Sequence, residues 1–118
     1  MTFLRACALS ELTDSTPLRV EVDGLDVAVV RHDDEVFAIE DECSHAAVAL
    51  SEGDVDDCTI ECWMHGSRFD LRTGKPTGPP ATEPVPIYRC RVEGGDVLVD
   101  VSRRLDPNDL ETKSAQEF

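Results

Sequence analysis

Positive charge is scarce in this chain: its 118 residues hold 11 Lys and Arg against 25 Asp and Glu, a formal net charge of −14. With a pI near 4.3, the chain is repelled by nucleic acid and by anionic membrane surfaces, so neither is expected as a partner. Long apolar runs are also missing. Met1-Thr2-Phe3-Leu4-Arg5 brings a charge before any apolar run of signal-peptide length, and no stretch is long enough to span a bilayer. A soluble, cytoplasmic protein is expected. Cysteines number 5, so they cannot all pair, and in a reducing compartment they read as ligands plus bystanders. No nucleophile with its base, Gly-rich phosphate loop or paired carboxylates occurs at a defensible spacing, so no substrate-converting site is expected.

What the chain does have is concentrated between Cys43 and His65. Two short segments, Cys43-Ser44-His45 and Cys62-Trp63-Met64-His65, each set a thiol and an imidazole close together, with Ala46 to Glu61 between them. Two loops of this kind offer four soft-to-borderline ligands, which suit zinc, iron or an iron–sulfur cluster and not magnesium or calcium. The order Cys-His-Cys-His differs from the Cys-Cys-His-His of a common zinc finger.

Here the sequence resembles the Rieske [2Fe-2S] proteins, whose motif is C-x-H, a spacer of this size, then C-x-x-H. The continuation Gly66-Ser67-Arg68-Phe69-Asp70 is similar to that family's H-G-S-x-[YF]-D run. The resemblance covers about residues 2–101. It implies that Cys43 and Cys62 hold one iron of a single [2Fe-2S] cluster through sulfur, and that His45 and His65 hold the other through a ring nitrogen. Two neutral imidazoles in place of two thiolates make an added electron easier to accept, which is why Rieske centres span about −150 to +300 mV against about −400 mV for plant-type ferredoxins. A free ring nitrogen on each histidine can meet solvent or a partner, which makes the histidines the expected electron exit.

High-potential respiratory members carry two further cysteines that brace the loops as a disulfide. Val48 and Met64 stand at those positions here, as in the small soluble ferredoxins that feed bacterial oxygenases. Such members also give the cluster sulfurs hydrogen bonds from a Ser and a Tyr hydroxyl; Ser67 keeps the first, and Phe69 lacks the second. A potential below roughly 0 mV is expected.

The rest of the chain reads as β throughout. Leu18, Val20 and Val22 alternate with Arg19, Glu21 and Asp23, as on a half-buried strand. Asp23-Gly24 signals a tight turn into a returning strand over Leu25 to Arg31. Further strands are expected at Phe3 to Ala8, Val36 to Glu40, Cys58 to Cys62, Arg68 to Leu71, Val85 to Val92 and Val97 to Val101. Turns are expected at Asp33-Asp34 and Gly94-Gly95, with an acidic loop over Leu50 to Asp57. The fold class is all-β, a small antiparallel sandwich or barrel; the resemblance makes it one of Rieske type with a loop-rich cluster-binding subdomain. One domain is expected over 1–102, its cluster part about 41–82, followed by a polar tail over 103–118. Cys7, Cys58 and Cys90 read as small buried hydrophobes, and His32 as a solvated loop residue.

Gly78-Pro79-Pro80 is placed to be the proline loop that covers the cluster in the family. No Lys or Arg lies from His32 through Ser67, while eleven acids do; a ring of acids would steer a basic partner face and weaken with salt. Trp63 reads either as an exposed docking tip or as packing beneath the loop, and Ala46, Ala47 and Val48 as an apolar rim beside His45. The resemblance implies a one-electron carrier between a flavin-dependent ferredoxin reductase and an acceptor such as a non-haem iron (di)oxygenase. A ferredoxin serving iron–sulfur cluster assembly or redox balance is the alternative, and a structural zinc module the alternative of another class.

Overall fold

The computed structural model describes residues 3–32, 35–43, 48–64, 66–78, 81 and 83–105, of which 102–105 are described by their backbone alone. Among the described residues nine strands form two antiparallel sheets. The strands are β1 (Leu4–Ala8), β2 (Leu18–Val22), β3 (Leu25–His32), β4 (Glu35–Glu40), β5 (Val55–Asp56), β6 (Thr59–Glu61), β7 (Arg68–Asp70), β8 (Ile87–Glu93) and β9 (Asp96–Leu105). The large sheet has the order β1-β9-β8-β4-β3-β2, and its two edge strands touch, so it nearly closes into a barrel. In the small sheet, β5-β6-β7, the second cysteine-bearing segment connects β6 to β7. Among the described residues the only helical pieces are single 3-10 turns at Leu9–Glu11 and Leu50–Glu52. No helix is long and apolar enough to cross a membrane.

Local chemistry accounts for the hairpins. Asp23 and Gly24 both adopt positive φ, 50° and 81°, and Val22 pairs with Leu25 across them; this is the primed two-residue turn whose twist matches that of the strands. Gly94 and Gly95 do the same between β8 and β9. Alternation then sorts side chains between two cores. Val27 and Val29 of β3, Ala38 of β4 and Tyr88 of β8 face the barrel interior with Val97 and Val99. Their neighbours Ala28, Val30, Ile39 and Ile87 face the other way, onto Leu50, Ile60, Phe69, Leu71 and Val85 under the small sheet. Val27 to Val30 are therefore all fully buried, which explains why β3 is an unbroken apolar run and not an alternating one. Each such side chain contributes about 1.5–3 kcal/mol of burial.

Three elements differ from the sequence reading. The acidic stretch after Ala49 holds a 3-10 turn and the short strand β5, because Val55 finds a partner in Ile60. Strand β8 starts at Ile87 and not at Val85: Pro84 and Pro86 have no N–H to give a ladder, and Val85 N–H donates instead to Gly74 O at 2.9 Å. Strand β9 runs to Leu105, past the expected end at Val101, because Leu105 pairs with Ile87 beyond an irregularity in the register. The expected turn at Asp33-Asp34, and the tail from residue 106 onward, lie outside the described residues.

His32 is also corrected. It ends β3, is half-buried, and its Nδ1 lies 2.9 Å from Ser15 Oγ. It is a strand residue held in place and not a solvated loop residue.

Candidate metal centre

Both cysteine-bearing segments leave a strand and fold back the same way. After β4, Asp41 N–H donates to Asp26 O (3.1 Å) and Cys43 N–H donates to Val48 O (3.0 Å). After β6, Cys62 N–H donates to Ser67 O (2.6 Å), and Gly66 N–H returns to Cys62 O (2.8 Å). In each loop the cysteine amide closes on the carbonyl five residues on. Gly66 sits at φ +77°, a left-handed conformation glycine adopts without strain, and this lets the second loop turn into β7.

The two loops are locked to one another. Leu50, at the exit of the first, is fully buried, and Gly53 N–H donates to Leu50 O at 3.0 Å. Gly53 lies against the backbone of Glu61, where a Cβ would come within 1.7 Å of the carbonyl oxygen. Glu61 N–H in turn donates to Asp54 O (2.8 Å). Since Glu61 precedes Cys62, backbone contact alone fixes the distance between the exit of one loop and the entry of the other.

Cys43 and Cys62 are both buried, neither is in a disulfide, and both are members of the core beneath the small sheet, alongside Phe69 and Leu50. His45 and His65 lie outside the described residues, as do Ser44, Ala46 and Ala47. Among the described residues no group of three or more His, Cys, Asp and Glu is gathered for a metal ion. The donor chemistry fits an iron–sulfur cluster: two thiols outside any disulfide are buried in one apolar core, in surroundings that disfavour water. Ser67 supports the fit. It is buried, and its Oγ accepts the Ala81 N–H at 3.1 Å, which leaves its hydroxyl hydrogen to be given to another acceptor in the same dry region. That bond, with Thr77 N–H to Arg68 O (2.8 Å), ties both flanks of the expected cover loop to the second ligand loop; Pro79 and Pro80 themselves lie outside the described residues.

Of the bystander cysteines, Cys7 and Cys58 are buried as expected. Cys58 forms the β5–β6 turn with Asp57, both at positive φ (58° and 50°), where Asn-Gly or Asp-Gly would be usual. Cys90 is half-buried as a residue, but burial of its thiol pushes the pKa up to about 12. Val48 packs half-buried against the core, as an apolar rim requires. Trp63 is 50% exposed and Met64 46%, which resolves the two readings of Trp63 in favour of an exposed tip. Its ring forms one wall of a cleft of about 550 Å³, whose other walls include Glu40, Asp41, Glu42, Glu52 and Val48.

Sequence reasoning missed the basic residues that reach this region from elsewhere. Arg19 of β2 lies 2.8 Å from Asp26 and 3.5 Å from Asp41; the hydrogen bond and charge of Asp26, helped by Asp41, raise its pKa above the usual guanidinium value. Arg68 lies 3.7 Å from Glu61. It also missed Ser51, which binds Asp41 through both its N–H and its O–H. No local signal marks a pair ten residues apart.

Known proteins agree with this arrangement. The description "Rieske [2Fe-2S] domain" matches residues 2–89. The chain is 44% identical over 104 residues to the biphenyl dioxygenase ferredoxin subunit of Pseudomonas sp. (strain KKS102), covering 87% of this chain and 95% of that one. Its fold superposes with a TM-score of 0.80 on the ferredoxin of carbazole 1,9a-dioxygenase from Nocardioides aromaticivorans IC177, at 42% identity over 84% of this chain and 97% of that one. It also superposes, with a TM-score of 0.82 and 37% identity over 88% of this chain and 97% of that one, on a chain from the complex of reduced oxygenase and oxidized ferredoxin in carbazole 1,9a-dioxygenase. The chain belongs to the Rieske [2Fe-2S] domain family, as a ferredoxin that carries electrons on a Rieske-type cluster and not as an enzyme that converts a substrate.

Proposed function

We propose that this ferredoxin takes one electron from a flavin-dependent ferredoxin reductase in the cytoplasm and delivers it to the oxygenase component of a ring-hydroxylating dioxygenase system. In this reading Cys43 and Cys62 hold one iron, His45 and His65 hold the other, and the domain comprises residues 1–102 with its cluster part at about 41–82. When bound, the cluster supplies a one-electron couple. The protein's own part is to keep that couple dry, to set its potential, and to present it to partners.

The observation that carries the proposal is the pairing of near-full-length identity to dioxygenase ferredoxins with an exposed Trp63–Met64 tip inside the second ligand loop. An exposed aromatic beside carboxylates suits a partner face that offers apolar contact and basic side chains. Glu42 and Glu52 line the same cleft as Trp63, which supports a role for these acids in steering a basic partner.

The test has two arms. Aerobically purified protein should be coloured, contain two irons and two acid-labile sulfides per chain, and give a rhombic electron spin signal when reduced; a colourless, silent zinc protein would end the proposal. Reduction by a flavin-dependent dioxygenase reductase, followed by bleaching of the visible absorbance, should slow as ionic strength rises. A rate indifferent to salt would remove the acidic docking face from the account.

A further inference from the structure

Asp41 differs from every other described acid in its stretch. Its side chain is 0% exposed, whereas Glu42 next to it is open to solvent. A carboxylate shut away from water costs several kcal/mol unless each oxygen is matched by donors, and here both are. Oδ1 accepts the Ser51 N–H at 2.7 Å, Oδ2 accepts the Ser51 O–H at 2.7 Å, and Arg19 Nε of β2 lies 3.5 Å from Oδ2. The backbone of the same residue is pinned to the β2–β3 turn through its N–H to Asp26 O at 3.1 Å.

Residues 41 and 51 are the two ends of the first ligand loop. Cys43 lies two residues inside. Besides the Asp41–Ser51 tie, the Cys43 N–H to Val48 O bond and the burial of Leu50 help to define the stretch. Charge-assisted hydrogen bonds are about twice as strong as neutral ones, so two of them across the neck restrain the loop that carries Cys43 more firmly than neutral contacts would.

We propose that Asp41 is a positioning residue for the cluster. With Ser51 it clamps the neck of the first ligand loop, so that the Cys43 sulfur is held in a single geometry and the cluster is slow to leave. The inference rests on the reading of Cys43 as a ligand, and the experiment separates the two.

Holo-protein carrying Ser51→Ala, Asp41→Asn, Asp41→Ala or Cys43→Ala is compared with the wild type. Two quantities are read: the rate at which visible absorbance is lost in air with excess EDTA, and the g-values and line widths of the reduced electron spin signal. Loss should quicken about tenfold in Ser51→Ala and roughly a hundredfold in Asp41→Ala, from one and two charge-assisted bonds removed. Asp41→Ala should also broaden the lines, as the loop samples several geometries. Asp41→Asn, which keeps an acceptor for the Ser51 N–H, should recover the wild-type g-values. Val29→Ala, a cavity in the barrel core away from the loops, should lower the unfolding midpoint and leave the line widths alone, which separates positioning from general stability. Wild-type loss rates and line widths in Asp41→Ala overturn the proposal. If that variant does not fold, the same result in Ser51→Ala overturns it. A Cys43→Ala protein with an unchanged spectrum would instead remove the ligand reading.

Discussion

Replacing Gly53 with alanine is expected to disrupt the cluster region even though the backbone there welcomes a side chain. Gly53 has φ −95° and ψ −175°, an extended conformation open to any residue. With free space around it, Gly→Ala would stabilise the protein by about 0.4–1 kcal/mol through the unfolded chain. Space is what Gly53 lacks. Its Cβ would lie 1.7 Å from Glu61 O and 2.9 Å from Glu61 C, both backbone atoms that cannot rotate aside. Relief requires the loop exit and β6 to part by at least ~1.3 Å, and overpacking of this kind costs about 1–3 kcal/mol. The Glu61–Asp54 bond at 2.8 Å would go with it, at about 1 kcal/mol. The steric term wins, by about 1–3.5 kcal/mol net, which lowers Tm by roughly 10 °C in a domain of this size. Because Glu61 leads into Cys62, cluster absorbance should be lost at a lower temperature as well. Thermal unfolding of the holo-protein at one scan rate, followed by circular dichroism and by visible absorbance, measures both. Gly78→Ala is the control: nothing lies within 4 Å of its Cβ position, and it should be neutral or slightly stabilising. If Gly53→Ala melts at or above the wild-type temperature, the proposed locking of one loop against the other is wrong.

Three other outcomes are expected. Cys43→Ala or Cys62→Ala should leave a colourless chain with a lowered unfolding midpoint, since each opens the core under the small sheet and removes a ligand; iron and sulfide analysis checks this. Phe69→Tyr should raise the reduction potential, because Phe69 is fully buried in the same core as both cysteines and a hydroxyl donated toward sulfur stabilises the reduced state; a voltammetric midpoint equal to wild type would place the ring elsewhere. Burial pushes Cys90 from the ordinary 9.0 up to about 12, and burial followed by Glu11 raises Cys7 in the same direction. The folded state thus holds thiol protons that the unfolded chain releases, so this stability is complete below pH 9 and declines as pH rises from 9 toward 12. Denaturant midpoints across that range should fall less steeply in Cys90→Ser, and native Cys90 should resist iodoacetamide at pH 8.

What could be read before folding was whatever is local. Asp23-Gly24 and Gly94-Gly95 are turns because two adjacent residues accept positive φ, and β2 is a strand because Leu18, Val20 and Val22 share a face. The candidate ligand segments were equally local, since a thiol and an imidazole two or three residues apart already suggest a donor set. Trp63 shows where that reach ended: sequence left it either exposed or packed beneath the loop, and only the path of the second loop over the small sheet turned it outward.

The chain's order of residues alone determined its all-β class, its acidity and the Cys-x-His and Cys-x-x-His segments, because each depends on side chains within a few positions of one another. Tertiary structure decided that Val27 to Val30 are buried on both faces between two cores. It also decided that β9 continues to meet Ile87, that Arg19 arrives among the acids, and that Asp41, one carboxylate among many, is the one shut away against Ser51. These contacts join residues far apart along the chain, and their geometry exists only once the sheets have packed.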